Sequence, residues 1–293
     1  MKEIWVLVNA RAGRRHGREN GELIQRAFRQ SGRKTRMAVT DSVRQAQVFL
    51  KEAACARPDL LVCCGGDGTL SMAVDVLGKE GASLTLGYVP MGTTNDFAAS
   101  LGISRDPVQA VEQILQGSPT PLDLGELGDR RFLYVASFGV FTQSSYRTSP
   151  MAKATLGHLA YLLEGARELT ELHPCSAEVE ADGCTYAGDF LFGAVSSATS
   201  LGGVLKLDPD KVRLDDGLLE LTLVRMPKNP VEWGQALHLL QRGGDGNLVI
   251  QQPVRRAVFS CEEEFPWSLD GEYVPGAKRA EIQVLPHAVE LML

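Results

Sequence analysis

The stretch "LLVCCGGDGTLSMAV", Leu60 to Val74, decides the fold of the first part of the chain. An apolar run, Leu60–Cys64, is followed at once by Gly-Gly-Asp-Gly and then by apolar residues at helical spacing. A short continuous apolar run bounded by glycines is typical of a strand buried on both faces of a parallel sheet. The stretch therefore predicts a strand, a tight loop and a helix, which is the repeating unit of an α/β domain.

The same order of strand and helix recurs on both sides of this stretch. Further strands are predicted at Ile4–Asn9, Thr35–Thr40 and Leu84–Pro90. Further helices are predicted at Glu19–Gln30, from a cap at Asp41 or Ser42 to Ala56, at Asn95–Leu101 and at Pro107–Leu115. This alternation predicts a doubly wound, mostly parallel α/β domain over residues 1–125.

Beyond residue 125 the pattern changes to short segments with period-2 alternation. A hairpin is predicted near residues 121–139, a helix near 152–171 and a second helix near Val231–Gln241. Strands are predicted at Ser176–Ala181, Asp189–Val195, Leu218–Val224, Leu248–Gln252 and Ala257–Ser260. Such alternation, punctuated by Gly, Asp and Pro, predicts a mainly antiparallel β-sandwich domain over residues 126–279.

Composition favours a soluble, cytoplasmic globular protein. The 293 residues are 44% hydrophobic and 23% charged, and no apolar run reaches the roughly 18 residues that a spanning helix needs. The N-terminal segment is typical of a first strand rather than a secretory signal. The six cysteines have no metal-binding spacing, which predicts reduced, mostly buried thiols. The oligomeric state, including a homodimer, is left open.

The charge is uneven, although the net charge is −6. Residues 1–57 contain 13 Lys and Arg against 5 Asp and Glu, a local excess of +8, so the remainder balances to −14. Either a solvated basic face or contact with an anionic membrane surface explains this excess. Aromatic residues are scarce in the same segment, which argues against nucleic acid as a partner.

The Gly65–Thr69 loop has the chemistry of a phosphate site. Its glycines allow the backbone to approach a ligand closely, and amides at the start of the following helix can bind phosphate. Asp67 would repel phosphate unless Mg²⁺ or water lay between them. The alternative is a plain turn between strand and helix, with Asp67 capping the helix.

Two further loops are expected at the same edge of the sheet. "PMGTTND", Pro90–Asp96, links a predicted strand to a helix, and "NARAGRRHG", Asn9–Gly17, follows the first strand. Because the carboxyl ends of parallel strands share one edge, the three loops together predict a nucleotide site. Neither GxxxxGK[ST] nor a GxGxxG after the first strand is present, which excludes a Walker loop and a dinucleotide fingerprint.

"GGDGT" followed by "PMGTTNDFA" resembles the soluble diacylglycerol kinase family, which includes bacterial lipid kinases and sphingosine and ceramide kinases. Three other segments are also similar to that family: "FTQSSYRTS", "LGGVLKLDPDKVRLDDGLLEL" and "LDGE". The resemblance covers nearly the whole chain and extends more distantly to NAD kinases and 6-phosphofructokinases. It implies that the last strand, near residues 280–293, returns to the N-terminal domain.

The resemblance implies an ATP- and Mg²⁺-dependent lipid kinase. It assigns ATP binding to residues of the three loops and to Thr40: Asn9, Thr40, Gly65, Gly66, Asp67, Gly68, Thr69, Gly92, Thr93, Thr94 and Asn95. Asp67 would serve the catalytic Mg²⁺, and Asp216 would hold a structural Mg²⁺ with the carbonyls of Arg213 and Leu218. Glu272 would be the general base, with Asp270 as its catalytic neighbour. An acidic network near the metal and the substrate would contain Asp96 and Asp123. Lys153 would help to bind phosphate or the groups that bridge the metal.

Simpler interpretations of these residues stay open. "RLDDGLL" and "LDGEY" also fit Asp-Gly hairpin turns, and Lys153 also fits a solvated residue at a helix start. Four residues at three sites depart from the usual family pattern: Ser71-Met72 stands in place of Asn-Glu, Ser197 in place of Asn and Ala10 in place of Pro.

Three functions follow from these observations. The first is a lipid kinase of diacylglycerol or a related lipid that docks transiently on the membrane. The second is a kinase of a soluble acceptor such as NAD, and the third is a nucleotide- or lipid-binding regulatory protein. A second GGDG, Gly243–Gly246, follows a predicted helix and precedes a strand, so it is interpreted as a turn without a role in the reaction.

Overall fold

The computed structural model describes residues 3–12, 17–93, 95–139, 174–197, 200–201, 205–206, 212–242 and 246–293. The chain divides into two units, the first formed by Met1–Leu122 with His287–Leu293 and the second by Asp123–Pro286. The predicted two-domain architecture is therefore confirmed.

The first unit alternates strands and helices along the chain. Its strands are β1 (Glu3–Asn9), β2 (Lys34–Thr40), β3 (Leu60–Gly65) and β4 (Thr85–Pro90). Its helices are α1 (Gly17–Gln30), α2 (Val43–Ala56), α3 (Asp67–Lys79), α4 (Asp96–Ser100) and α5 (Pro107–Gln116). Ser42 caps α2 by accepting a hydrogen bond from the backbone amide of Gln45, as its short polar side chain predicts.

All pairs among these four strands are parallel. β1 lies between β2 and β3, and β4 pairs with the other side of β3. The C-terminal end of the chain adds a parallel strand beside β4, in which Glu290 pairs with Thr85 and Leu291 with Leu86.

Alternate residues of β1 face opposite layers of helix. Ile4, Val6 and Val8 are buried in one core with residues of α1 and α5. On the other face the Trp5 ring packs against Phe49 of α2, with ring centroids 5.2 Å apart. A strand that is apolar on both faces is covered by helices on both faces, which explains why β1 and β3 have no polar alternation.

The second unit consists mainly of strands. They are β5 (Pro119–Leu127), β6 (Arg130–Phe132), β7 (Val135–Gly139), β8 (Cys175–Ala181), β9 (Cys184–Ser196), β10 (Ser200–Leu201), β11 (Leu205–Lys206), β12 (Leu219–Arg225), β13 (Val249–Val254), β14 (Arg256–Leu269) and β15 (Glu272–Met292). β5 begins, and β15 ends, in the first unit. One described helix, α6 (Pro230–Arg242), interrupts the strands. The prediction of a β-rich second domain is confirmed.

Within this unit the strands run antiparallel in the order β13, β12, β9, β7, β14 and β15, and β8 pairs with both β9 and β14. The aromatic rings of Phe138, Phe259, Phe265 and Trp267 meet in the core, largely edge to face. Trp233, Ala236 and Leu240 of α6 belong to a second core with residues of β9 and β13.

Some expectations need correction or lie outside the described residues. Only Cys63 and Cys64 are buried, whereas Cys55 and Cys184 are exposed, so the prediction of mostly buried thiols is wrong. β14 and β15 are longer than the segments predicted at Ala257–Ser260 and 280–293. The helix predicted at 152–171 lies outside the described residues. No helix in the described part of the chain is long and apolar enough to cross a membrane.

Candidate active site

Four strands of the first unit end at one edge of the sheet. In the parallel register Asn9 at the end of β1 pairs with Thr40 at the end of β2, and Gly65 at the end of β3 pairs with Pro90 at the end of β4. The loops that follow β1, β3 and β4 therefore start from the same edge. This is the position at which ligands bind in open α/β sheets.

The loop after β3 is held against the loop after β1. Asn9 Nδ2 donates a hydrogen bond to Thr69 Oγ1 over 3.1 Å, and the Thr69 amide donates to the Gly66 carbonyl over 2.8 Å. A Cβ atom on Gly65 would collide with the Thr69 side chain. The glycine is therefore required because Thr69 occupies the space in which a side chain would lie.

The loop after β4 packs backbone to backbone against the loop after β3. The Met91 amide donates to the Gly65 carbonyl over 2.7 Å, and a Cβ atom on Gly92 would lie 2.7 Å from Gly66 Cα. Asn95 is buried with φ of +52°. Its Oδ1 accepts from the Gly92 amide at 2.9 Å and its Nδ2 donates to the Gly92 carbonyl at 3.0 Å. Asn95 thus shapes the loop, while Thr93 is exposed on it.

Asp67 opens α3, and its carboxylate is buried, with 9% of the residue exposed. The Tyr88 hydroxyl, on the neighbouring strand β4, donates to Asp67 Oδ1 over 3.1 Å. A carboxylate in the first turn of a helix is stabilised by the helix dipole. Tyr88 was not among the site residues predicted from the sequence. The sequence feature that could have identified it is a tyrosine within an apolar strand, because a buried tyrosine hydroxyl usually needs a polar partner.

Thr40 is also buried at this edge, where its hydroxyl donates to the Val8 carbonyl over 3.3 Å. Gly68 is exposed in the first turn of α3. The structure therefore brings Asn9, Thr40, Gly65, Asp67 and Gly92 to one edge of the first unit. Thr94, Lys153 and Gly243–Asp245 of the second GGDG lie outside the described residues, as does the side chain of Asp96.

In the second unit Asp270 and Gly271 form the two-residue turn between β14 and β15. Both have positive φ, +48° and +85°, as a type I′ hairpin turn requires. Asp270 is buried and its carboxylate accepts three backbone hydrogen bonds: Oδ2 from Leu133 at 2.6 Å, and Oδ1 from Tyr134 at 3.0 Å and Val135 at 2.9 Å. Glu272 directly after the turn is exposed. Asp270 is thus engaged with the backbone, while Glu272 faces solvent.

Asp123 is a buried carboxylate that holds a loop of the same unit. Its Oδ2 accepts from the Gly217 amide at 2.6 Å, and its backbone amide donates to the Leu214 carbonyl at 2.7 Å. In this loop Asp216 is exposed, and its Oδ1 accepts from the Leu218 amide at 3.1 Å. Burial and the charge of Asp216 raise the pKa of the nearby Glu220 carboxyl.

Asp67 and Asp216 offer carboxylate oxygens, the donor type that Mg²⁺ prefers, but neither belongs to a cluster of several carboxylates within the described part of the chain. Among the residues that the structure describes, no group of three or more His, Cys, Asp or Glu side chains could hold a metal ion. Mg²⁺ is commonly bound through one or two carboxylates together with waters and substrate phosphates. Asp67 beside the glycine loops and Asp216 in its turn match that sparse pattern.

Comparison with known proteins covers both units. Residues 3–127 match the diacylglycerol kinase catalytic domain, and residues 135–293 match the YegS C-terminal NAD kinase beta sandwich-like domain. The diacylglycerol kinase of Bacillus subtilis (strain 168) is 33% identical over 276 residues, which cover 93% of this chain and 90% of that protein. The diacylglycerol kinase of Staphylococcus carnosus (strain TM300) is 32% identical over 245 residues, 83% of this chain and 79% of that protein.

A solved structure has the same fold. The crystal structure of a candidate diacylglycerol kinase from Bacillus anthracis str. Sterne superposes with a TM-score of 0.82, covering 99% of this chain and 94% of that one. Sequence identity is 23%, so this likeness concerns the fold alone.

Proposed function

The chain belongs to the diacylglycerol kinase family and is a phosphotransferase with an alcohol group as acceptor, and we propose that it transfers the γ-phosphate of ATP to a hydroxyl of diacylglycerol or a related lipid. One observation carries the ATP side of this proposal: Asn9, Thr40, Gly65 and Gly92 meet at the edge where β1–β4 end. We also propose that the first unit is a doubly wound α/β domain. The parallel pairing of β1–β4 supports this part of the proposal.

The phosphates of ATP would lie against the two glycine loops. Gly65, Gly66 and Gly92 leave no side chain between their backbones, and the start of α3 presents amides of Asp67 and Gly68. Thr69 is held by Asn9, so the loop is fixed before a nucleotide binds. The exposed Thr93, with Thr94 and Asn95, would complete the contacts.

Asp67 is the residue we propose to hold the catalytic Mg²⁺, since its carboxylate lies in the first turn of α3 beside both loops. Bound there, Mg²⁺ would neutralise phosphate charge that Asp67 alone would repel. Asp216, with the carbonyls of Arg213 and Leu218, is the proposed ligand set for a structural Mg²⁺ in the second unit.

Glu272 is the proposed general base. It is an exposed carboxylate fixed at the first residue of β15 by the turn that precedes it. A lipid hydroxyl is a poor nucleophile at neutral pH, and a carboxylate that accepts its proton typically contributes about 10²–10⁴-fold. Asp270 would act by positioning rather than by touching substrate, because both its oxygens accept backbone amides. Asp96, Asp123 and Lys153 are proposed to carry charge near the bound metal and the substrate.

A transient membrane contact is part of the proposal because the acceptor is a lipid. Within the described residues, four large apolar side chains of the first unit are exposed in one short segment: Leu23, Val39, Val43 and Val48. Exposed arginines lie in the same segment at positions 26, 29, 33 and 44. Exposed apolar side chains interspersed with arginines suit the surface of an anionic membrane.

The experiment offers one labelled donor to competing acceptors. The purified full chain is incubated with γ-labelled ATP and Mg²⁺, with mixed micelles containing diacylglycerol or with NAD. We expect label in the lipid fraction, and a loss of about 10²–10⁴-fold in Glu272→Gln. Glu263→Gln is the matched control, because Glu263 is another exposed glutamate of the second unit.

Each alternative function has its own outcome. Label in NADP instead of lipid would favour a kinase of a soluble acceptor. Tight binding of ATP or lipid without transfer to any acceptor would favour a regulatory protein, which the departures at Ser71-Met72 and Ser197 would then explain. Equal activity in Glu272→Gln and Glu263→Gln would overturn the role of the base.

A further inference from the structure

Ser197 follows the last residue of β9 and is 3% exposed. Its Oγ donates to the Leu133 carbonyl over 2.8 Å, and its backbone amide donates to the Tyr134 carbonyl over 3.0 Å. Leu133 and Tyr134, which link β6 to β7, and Val135, the first residue of β7, form a short segment here called the bridging segment. Ser197 therefore fixes this segment by two of its carbonyl groups.

Asp270 holds the same segment by its amides. Its carboxylate accepts from all three amides of the bridging segment, at 2.6–3.0 Å, and its own amide donates to the Val135 carbonyl over 2.8 Å. Hydrogen bonds with an ionised acceptor are about twice as strong as neutral ones. The bridging segment is thus clamped between Ser197 on one side and Asp270 on the other.

The clamp reaches Glu272 through a turn of only two residues. Asp270 and Gly271 separate the paired residues Leu269 and Glu272, and both have positive φ. Four hydrogen bonds anchor the first turn residue, whereas Gly271 is exposed. The direction in which the Glu272 side chain leaves the sheet therefore depends on how Asp270 lies on the bridging segment.

We infer that Ser197 is a positioning residue for Glu272, acting through the bridging segment and Asp270. The inference rests on the proposed function, since it assigns Ser197 to the reaction in which Glu272 is the base. Loss of the Ser197 hydroxyl leaves the Leu133 carbonyl without that donor and allows the segment to shift. A displacement near 1 Å at a reacting group can reduce turnover by about 10²-fold.

Ser196, the last residue of β9 and the direct neighbour of Ser197, provides a matched control. It is fully buried, and its Oγ has no hydrogen-bond partner among the described residues. Ser196→Ala and Ser197→Ala therefore remove the same hydroxyl group from neighbouring buried positions. Only the second substitution removes a hydrogen bond to the bridging segment.

The test measures turnover and KM for both substrates in Ser197→Ala, Ser196→Ala and Ser197→Thr, using labelled ATP and diacylglycerol micelles. Thermal unfolding and amide exchange over residues 131–137 are recorded on the same samples. We expect kcat of Ser197→Ala to fall by about 10-fold or more with KM for ATP nearly unchanged, and the bridging amides to exchange faster. Ser197→Thr retains the hydroxyl and should restore kcat, and Ser196→Ala should keep the wild-type kcat.

Three results would overturn the inference. In the first, Ser197→Ala and Ser196→Ala have equal kcat. In the second, kcat in the two variants falls only in step with the folded fraction. In the third, the loss appears in KM for ATP rather than in kcat. A wild-type chain that transfers no phosphate to lipid would overturn the proposed function together with the inference, so the two failures can be told apart.

Discussion

Asp67 and Asp270 are both buried aspartates that directly follow a strand or its flanking glycine, yet their carboxylates are held in different ways. Asp67 opens a helix, and a side-chain hydroxyl, that of Tyr88, donates to it. Asp270 occupies a hairpin turn, and three backbone amides donate to it. A side-chain donor can turn away when a ligand binds, whereas backbone amides are fixed by the strands that follow them.

The difference indicates a division of roles. A carboxylate saturated by backbone amides stabilises the local fold and positions what lies next to it, here Glu272. A carboxylate at a helix start beside two glycine loops is the one that we propose to hold the catalytic Mg²⁺.

Asp67→Ala should reduce phosphoryl transfer by about 10³-fold, because it removes the charge proposed to hold the catalytic metal. The free energy of unfolding should fall by about 1–3 kcal/mol, because the buried Tyr88 hydroxyl loses this acceptor. Steady-state transfer of label and denaturant unfolding check both parts. Asp75→Ala is the control: Asp75 lies on the same helix and forms an ion pair with Lys79, and its loss should leave turnover at the wild-type level.

Gly92→Ala should destabilise the chain by about 1–3 kcal/mol and reduce nucleotide binding, because the new Cβ would overpack the two loops. It would lie 2.6 Å from Asn95 Oδ1 and 2.7 Å from Gly66 Cα. Denaturant unfolding and ATP titration measure the two effects.

Gly234→Ala is the control for this substitution, since no atom lies within 4 Å of the added Cβ in α6. It should stabilise the chain by about 0.5–1 kcal/mol. If Gly92→Ala were as stable as Gly234→Ala, the two loops would not approach each other as closely as described.

Tyr88→Phe should lower turnover by a few-fold and stability by about 1 kcal/mol, because Asp67 loses one donor but keeps its charge. Tyr186→Phe removes a hydroxyl that donates to Gln252 over 2.7 Å in the second unit. It should cost similar stability with no loss of turnover. Equal turnover of both variants would show that the Tyr88 contact has no part in placing Asp67.

Glu220→Gln should have the smallest effect, and its sign depends on pH. Burial, and then Asp216, raise the pKa of Glu220 above 4.5 in the folded state, so ionised Glu220 opposes folding. The wild type bears this cost above the raised pKa and loses it below 4.5. The variant should therefore be more stable at pH 7, by less than about 1 kcal/mol because the group is half-exposed, and no more stable at pH 4. Urea unfolding at the two pH values measures the difference.

Much of the first unit could be predicted from the sequence because its signals are local. The apolar run at Leu60–Gly65, the cap at Ser42 and the glycines at Gly65 and Gly92 each act within a few residues. Parallel strands bring such loops to one edge without further information. The residues at this edge, and the resemblance to a kinase family, were therefore accessible before the structure.

The clamp on Asp270 was not accessible in this way. Its donors, Leu133 to Val135, are 135–137 residues away in the sequence. They donate through backbone amides, so their residue types do not indicate the contact. "LDGE" fits both an exposed turn and a catalytic pair, and burial of Asp270 with exposure of Glu272 distinguishes the two residues only in three dimensions. The bonds by which the Asn95 side chain shapes its own loop at Gly92 were likewise visible only in three dimensions.

The division of roles is tested most directly by measuring turnover and unfolding free energy together in Asp67→Asn and Asp270→Asn. Asparagine keeps the shape of aspartate but removes the charge. At position 270 the NH₂ of its side-chain amide would face at least one of the backbone amides that donate to Asp270. We predict that Asp67→Asn folds like the wild type yet transfers almost no label to diacylglycerol, whereas Asp270→Asn loses about 3 kcal/mol of stability. An active Asp67→Asn, or an Asp270→Asn as stable as the wild type, would contradict the account.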